Sequence, residues 1–294
     1  MQSVLRNSSL RTSAFSSAWR NKGPLRTACT TRAVMSGNAM IVERVPCLRD
    51  NYVWVLHEPS QQLTAVVDPS ESEPVISILN SKGYNLDYIF NTHHHWDHTG
   101  GNMELKAVYP QAKIIGPRAD QARIPGIDQS YGEGDSFKFG PLDVKVFDTP
   151  GHTKGHITFW IPGADALFPG DTLFSLGCGR LFEGTPQQMW ASLSKFVGLP
   201  DSTSVFCAHE YTQSNARFAV HIDPHNQTLA ARKQEIDELR SQNLPTVPSN
   251  LGQEKAANPF LRPSDPAIRK HLGVDADAED WVALKAIRAA KDNF

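Results

Sequence analysis

From about residue 39 onward the chain alternates short runs of β-branched and aromatic residues with breaks at Gly, Pro, Asn and Asp. Such punctuation predicts strands at 40–45, 52–57, 64–67, 88–91, 113–115, 136–139, 144–147, 157–161, 166–168 and 205–208. Helical spacing predicts helices at 74–82, 100–108, 186–197, 225–241 and 280–291, the third opening with Thr185-Pro186, a capping residue followed by Pro at the first helical position. Strands come in clusters with helices between and after them, which predicts a layered α/β arrangement rich in strand. Past Tyr211 the character turns mainly helical, and Pro245, Pro248, Pro259, Pro263 and Pro266 mark a Pro- and Asn-rich connection between its two long helices. The organisation expected is a strand-rich domain over 39–211 and a helical domain over 212–294, preceded by a segment of different composition over 1–38.

That first segment changes the meaning of the charge. The chain has 29 Lys+Arg against 31 Asp+Glu, a net charge of −2. Six of the cations (Arg6, Arg11, Arg20, Lys22, Arg26 and Arg32) precede the first acid, Glu43, which leaves 23 basic against 31 acidic residues, a charge of −8, for the remainder. A basic, acid-free, Ser-rich stretch with scattered Leu5, Leu10, Phe15 and Trp19 reads as an organellar transit peptide. Mitochondrion (the matrix) ranks ahead of plastid, and a start at Met35 or Met40 would give a cytosolic form. No apolar run reaches the roughly 20 residues of a membrane-spanning helix, and the acidic body argues against nucleic acid as a partner. With 40% hydrophobic residues the 294-residue chain can bury a substantial core. Its four cysteines show no CxxC spacing and fit a reducing compartment.

The chemistry concentrates in Asn91-Thr-His93-His94-His95-Trp96-Asp97-His98-Thr-Gly100-Gly101-Asn102, directly after the apolar run 88–90. In an extended chain, side chains two apart face the same way, so His93 and His95 can grip one ion while His94 points elsewhere. As the chain turns, Asp97 and His98 can face a second ion; imidazole nitrogen with carboxylate oxygen suits Zn, and also Fe or Mn. Three more segments follow the same pattern of a strand ending in a turn that presents a ligand: Thr149-Pro-Gly151-His152, Phe168-Pro-Gly170-Asp171 and Val205-Phe-Cys-Ala-His209. Each alone reads as an ordinary turn. Together they point to a metal site.

HHHWDHTGGN, followed by single downstream His, Asp and His in this order, resembles the metallo-β-lactamase superfamily. Within it, the segments Gly177-Cys-Gly-Arg180-Leu-Phe-Glu-Gly184-Thr185, Ala208-His209-Glu-Tyr211-Thr, Asn258-Pro-Phe260 and the ending Ile287-Arg288-Ala-Ala-Lys291-Asp-Asn-Phe294 are similar to the hydroxyacylglutathione hydrolase (glyoxalase II) family. The resemblance runs from about Met40 to Phe294. It implies an α+β fold, a four-layer αββα sandwich carrying the metals, with a C-terminal helical domain over the substrate. It also implies two divalent ions per chain: His93, His95 and His152 on the first, Asp97, His98 and His209 on the second, and Asp171 bridging them. Asp97 would orient the nucleophile and accept its proton, making Asp97 and Asp171 the catalytic carboxylates. His57, His94, His156, His221, His225 and His271 match no ligand position.

The implied reaction is hydrolysis of a glutathione thioester, S-D-lactoylglutathione, to glutathione and D-lactate by a hydroxide held between the ions, in a monomeric enzyme. A thiol leaving group with pKa near 8.5 departs as thiolate without a general acid, and the absence of G-x-S-x-G fits a reaction without an acyl-enzyme. Arg288 and Lys291, three apart on a helix, share a face where they could clamp a carboxylate, with Arg180, Phe182 and Tyr211 adding substrate contacts. Arg180 stands where some members carry Lys, and Phe182 where some carry Tyr, which removes a hydroxyl. Two alternatives stay open. One is a single-iron persulfide dioxygenase of the same superfamily, although that group reads HxHADH and continues Gly-Cys-Gly-Arg with Thr-Asp-Phe, where this chain has Leu181-Phe182-Glu183. The other is a non-catalytic binding protein on the same scaffold.

Overall fold

The computed structural model describes residues 30–32 and 40–294. Apart from Thr30–Arg32, the segment expected to be a transit peptide therefore lies outside the described residues. The first sheet runs in chain order through β1 (Thr30–Arg32), β2 (Ile41–Cys47), β3 (Asn51–Glu58), β4 (Leu63–Val67), β5 (Tyr88–Phe90), β6 (Lys113–Pro117) and β7 (Gln129–Tyr131). Pairing is antiparallel up to β4 and parallel from β4 to β7. Parallel neighbours need crossovers; α1 (Ser72–Lys82) supplies one, and α2 (Trp96–Thr99) with α3 (Asn102–Val108) supplies the next.

The second sheet takes β8 (Ser136–Phe139), β9 (Leu142–Asp148), β10 (Ile157–Ile161) and β11 (Ala166–Phe168) in antiparallel order. A separate hairpin, β12 (Leu173–Phe174) with β13 (Gly177–Cys178), follows. Beyond α4 (Pro186–Val197), β14 (Ser204–Val205) joins parallel to β11. The helical part holds α5 (Thr212–Ile222), α6 (Gln227–Ser241), α7 (Leu251–Ala257), α8 (Pro266–Leu272) and α9 (Asp280–Asp292), and lends β15 (Ser249–Asn250) to β14.

Three apolar layers hold the sandwich and its cover together, and a smaller one joins α5, α6 and α7. Between the sheets lie Trp54, Leu56, Val67 and Phe90 from one side and Phe139, Val146, Phe159 and Phe168 from the other. Val53, Val55, Val66 and Ile89, on the opposite face of the first sheet, pack on Val75 and Leu79 of α1 and Leu105 of α3. Leu167 and Val205 of the second sheet pack with Met189, Leu193 and Phe196 of α4 and with Phe218, Phe260, Leu284 and Ile287 of the helical part. The order is αββα with a C-terminal helical cover, the fold the sequence motifs imply. Strand β3 is buried along all eight residues, which is why it reads as a continuous apolar run and not as an alternation.

Three segments differ from the sequence-based expectation. The helix expected at 100–108 begins at Asn102 as α3, and the four-residue α2 precedes it; Gly100 lies between them, where an added Cβ would press on the carbonyls of Ser70 and Trp96, at 2.7 and 2.8 Å. The strand expected at 205–208 stops at Val205, because the next residues cross to the first sheet: Phe206 N–H still donates to Leu167, but the Cys207 carbonyl accepts from Trp54 Nε1 (3.0 Å) and Ala208 O from Tyr52 N–H. That crossing delivers His209 to the mouth of the sandwich. The Pro-rich connection contains α7, a 3₁₀ turn at Pro259–Leu261 and α8, with Asn250, Asn258 and Asp265 as N-caps and Pro259 and Pro266 at helix starts.

Candidate metal centre

The chain leaving β5 carries His93, that leaving β9 carries His152, that leaving β11 carries Asp171 and that leaving β14 carries His209, all at one end of the sandwich. The structure brings all seven predicted ligand residues together. His95 Nδ1 lies 3.1 Å from His93 Nε2 and 3.0 Å from His152 Nε2. Asp97 Oδ2 lies 3.6 Å from both His98 Nε2 and His209 Nε2. Asp171 spans the two groups, with Oδ2 3.4 Å from His152 Nε2 and Oδ1 3.4 and 3.5 Å from His98 and His209 Nε2. Bonds of about 2.0–2.2 Å in tetrahedral geometry put neighbouring ligand atoms roughly 3.3–3.6 Å apart. The separations around Asp97 and Asp171 are those of donor atoms around cations, and the His93, His95 and His152 nitrogens are drawn slightly closer together.

Hydrogen bonds aim the rings. Asp68 accepts from the Thr92 hydroxyl and backbone N–H (both 2.7 Å) and from His98 Nδ1 (3.0 Å), while His93 Nδ1 donates to the Thr92 hydroxyl. His152 Nδ1 donates to the Arg180 carbonyl (2.8 Å) and His209 Nδ1 to Asp50 Oδ1 (2.9 Å). In each ring the opposite nitrogen, Nε2, is the one turned into the cluster, the arrangement of metal-binding imidazoles. His156 is fully enclosed, its ring stacked on His93 at 4.8 Å, and its Nε2 accepts the Asp171 N–H. Asn51 Nδ2 donates to Asp97 Oδ2 and to its carbonyl, both at 3.2 Å.

Burial, reinforced by neighbouring imidazoles, holds His93 well below its ordinary pKa and His95 at about 4. Burial likewise lowers His152 against the pull of Asp171, so these rings are neutral near pH 7 with lone pairs available. His98 behaves oppositely. Burial alone would lower it, but Asp171, Asp68 and Asp97 together push it up to about 9, and the field that favours a proton on its Nε2 equally favours a metal cation there. Burial would raise Asp171, yet the surrounding imidazoles outweigh it and lower its pKa. His98 Nε2 and Asp171 Oδ1 are buried without a hydrogen-bond partner among the described residues, an uncompensated cost unless a cation lies between them. The donor set fits divalent metal ions.

The expected substrate residues surround this cluster. Phe182, mostly exposed, stands edge-on to His95 and His152 at 5.8 and 5.2 Å. Tyr211 stacks flat on His209 (4.6 Å, 6°), and burial with nearby Asp50, Asp171 and Asp97 raises its pKa. Arg180 is exposed, 4.0 Å from Asp292. Lys291 donates to the Ser214 carbonyl and hydroxyl. Arg288 shares the helix face with Lys291 but turns inward: it is 7% exposed, paired with Asp292 at 2.8 Å and bonded to the Cys178 carbonyl at 3.0 Å. It thus ties α9 to the segment that leads into Arg180.

Sequence reasoning did not single out Asp50, Asn51, Asp68 or Thr92. Asp68 carried a signal, since it ends the run Thr64-Ala-Val-Val67 in Asp-Pro as the other ligands end theirs. Asp50 and Asn51 carried none; they arrive through the β2–β3 turn, where Asn51 bridges to His209. Of the six histidines without a ligand position, His94 and His156 adjoin the cluster, whereas His57 stacks on Tyr84 and His221 meets His271.

Fold and cluster together define a protein of the metallo-β-lactamase superfamily with His/Asp metal-binding groups, and the family model described as Metallo-beta-lactamase superfamily matches residues 49–209. Among solved structures, the BLEG-1 B3 metallo-β-lactamase shares the fold, with a TM-score of 0.58 at 21% identity, covering 75% of this chain and 99% of that one. A second model, Hydroxyacylglutathione hydrolase C-terminus, matches residues 210–294. The hydroxyacylglutathione hydrolase of Methylococcus capsulatus is 50% identical over 251 residues, 85% of this chain and 97% of that protein. That of Maricaulis maris is 47% identical over 255 residues, 87% and 99% of the two chains. The chain belongs to the hydroxyacylglutathione hydrolase family.

Proposed function

We propose that the protein hydrolyses S-(2-hydroxyacyl)glutathione thioesters, with S-D-lactoylglutathione as the representative substrate, to glutathione and the 2-hydroxy acid. The observation that carries the reading is the convergence of seven ligand side chains from separate loops, five of them buried, joined to a C-terminal helical cover of the same family. His93, His95 and His152 would hold one divalent ion and Asp97, His98 and His209 a second, with Asp171 shared. Bound there, the ions, Zn or else Fe or Mn, would supply a hydroxide near neutral pH and polarise the thioester carbonyl.

The chain's own groups do the rest. Asp97, held by Asn51, orients the nucleophile and accepts its proton. The glutathione thiolate leaves without a proton donor, since its pKa is near 8.5. Phe182 and Tyr211 wall the cleft on the His152 and His209 sides. Arg180 and Lys291 supply positive charge for the carboxylates of the tripeptide, and Arg288 fixes the Cys178 carbonyl and through it the approach to Arg180. Every ligand comes from one chain, which supports action as a monomer. The basic, Ser-rich beginning of the sequence supports delivery to mitochondria, and no helix among the described residues is long and apolar enough to cross a membrane. The direct test is thioester hydrolysis by purified protein with and without chelator. Metal-loaded protein lacking thioesterase activity would sink the reading.

A further inference from the structure

The one histidine of the 93–98 run that the ligand pattern leaves over, His94, is the start of a second polar network. Its Nδ1 lies 3.1 Å from Asp120 Oδ2, and its Nε2 accepts from Arg123 Nη1 at 3.1 Å, so the proton of the ring sits on Nδ1 and is donated to Asp120. Asp120 is 4% exposed and lies so close against Gly155 that any side chain there would collide with its carboxyl carbon at 2.1 Å. The guanidinium of Arg123 meets Asp120 through Nε and Nη2, and grips the Glu183 carboxylate with both terminal nitrogens, at 2.6 and 3.0 Å. Glu183 is further held by the Lys154 N–H at 2.8 Å. Its neighbour Phe182 is the aromatic wall beside His95 and His152, and the N–H groups of both Phe182 and Glu183 point at the His152 carbonyl, at 3.2 and 3.3 Å.

We propose that Arg123 is a positioning residue. Through the fork to Glu183 it latches the substrate-facing segment 180–184 onto the metal-binding loop 93–98, and so sets the height of Phe182 and Arg180 over the cleft. The geometry separates the latch from the chemistry: the side-chain partners of Arg123 are Asp120, His94 and Glu183, none of them a predicted metal ligand. Bidentate Arg–carboxylate pairing fixes direction as well as distance, which a Lys at 123 could not reproduce. The Arg123 hydrogen bonds also draw the Glu183 carboxyl down to about 2, so the pair stays ionised across the working pH range.

The substrate side of this proposal rests on the thioesterase reading; the segment's mobility does not, and the test reads both. Metal-loaded wild type, Arg123→Ala, Arg123→Lys and Glu183→Gln are compared by metal content, by amide exchange in 180–184, and by kcat and KM on a glutathione thioester. In Arg123→Ala and Glu183→Gln, exchange in 180–184 should rise about tenfold or more while strands β3 and β10 are unchanged. KM should rise about tenfold with kcat within about threefold of wild type at full metal content. Arg123→Lys should fall between, and Arg123→Ala/Glu183→Gln together should be no worse than Arg123→Ala alone, because the fork to Glu183 is already lost there. Unchanged exchange in both single variants, additive effects in the double variant, or a fall in kcat that tracks lost metal would each overturn the latch. A wild type with no thioesterase activity would refute the functional reading, and the exchange result would then decide the latch by itself.

Discussion

Asp171 Oδ1 lies 3.4 Å from His98 Nε2, and neither buried atom has a hydrogen-bond partner among the described residues. A carboxylate oxygen and an imidazole nitrogen facing each other at this spacing suit a shared cation. Because the other oxygen of Asp171 faces His152, one side chain serves both ligand groups. Asp171→Asn keeps the shape and removes the charge that offsets two cations. The variant should bind fewer metal ions per chain than wild type and lose activity on the order of 10³-fold, since metal Lewis acidity contributes several kcal/mol to such a transition state. Metal analysis of dialysed protein beside the thioester assay checks both. Wild-type metal content with wild-type activity would remove Asp171 from the centre.

Asp50 acts one bond further out. Its carboxylate accepts from His209 Nδ1 at 2.9 Å, and this hydrogen bond is the main cause holding the Asp50 pKa below its usual value. Asp50→Ala frees the His209 ring to turn and to carry its proton on the wrong nitrogen. Metal affinity should fall about 10- to 100-fold. Asp50→Asn can still accept the proton through its amide oxygen, so its loss should be smaller. Chelator-competition titration orders the three proteins, and equal affinities would contradict the role.

The histidine-rich segment was legible because its residue types are rare together and follow a strand, and the same strand-end pattern exposed His152, Asp171 and His209. Asp68 obeys that pattern too, but a single Asp-Pro after a strand is indistinguishable from an ordinary turn until His98 and Thr92 are seen to converge on it. Nothing local marks Asp50 or Asn51, since their importance comes from β-sheet register and from residues 206–209 crossing between the sheets. Helical spacing placed Arg288 and Lys291 on one face, yet could not show that Asp292, four residues on from Arg288, would draw that guanidinium inward. Short α7 and α8 were hidden by the prolines around them, although Pro266 behind the Asp265 cap is itself a helix start.

Trp54 joins the two sheets. It is 1% exposed, its ring meets Phe206 edge-on at 5.0 Å, and its Nε1 donates to the Cys207 carbonyl at 3.0 Å. Trp54→Ala should cost about 3–5 kcal/mol through the cavity it leaves. Trp54→Phe retains most of the packing but strands a buried carbonyl, a cost of about 1–3 kcal/mol. Denaturant unfolding at one fixed metal loading measures both, because bound metal stabilises the folded state by mass action. A Trp54→Phe variant as stable as wild type would show that the bond to Cys207 contributes nothing net.

Lys291 should make substrate capture depend on pH. Burial, with Arg288 and Arg180 nearby, lowers its ammonium pKa from 10.5 to about 8. For a base the sign is direct: below pH 8 the group is charged and attracts a carboxylate, and above it the charge is lost. The free enzyme's kcat/KM for an anionic glutathione thioester should therefore fall as pH rises through about 8. A bound carboxylate restores the charged form, so kcat alone should break at higher pH. Lys291→Arg keeps its charge beyond the range of the assay and should abolish the break. Lys291→Met should sit on a flat profile at the high-pH level of wild type. Parallel pH profiles of the three proteins decide it: a break near 8 that survives in Lys291→Arg belongs to some other group.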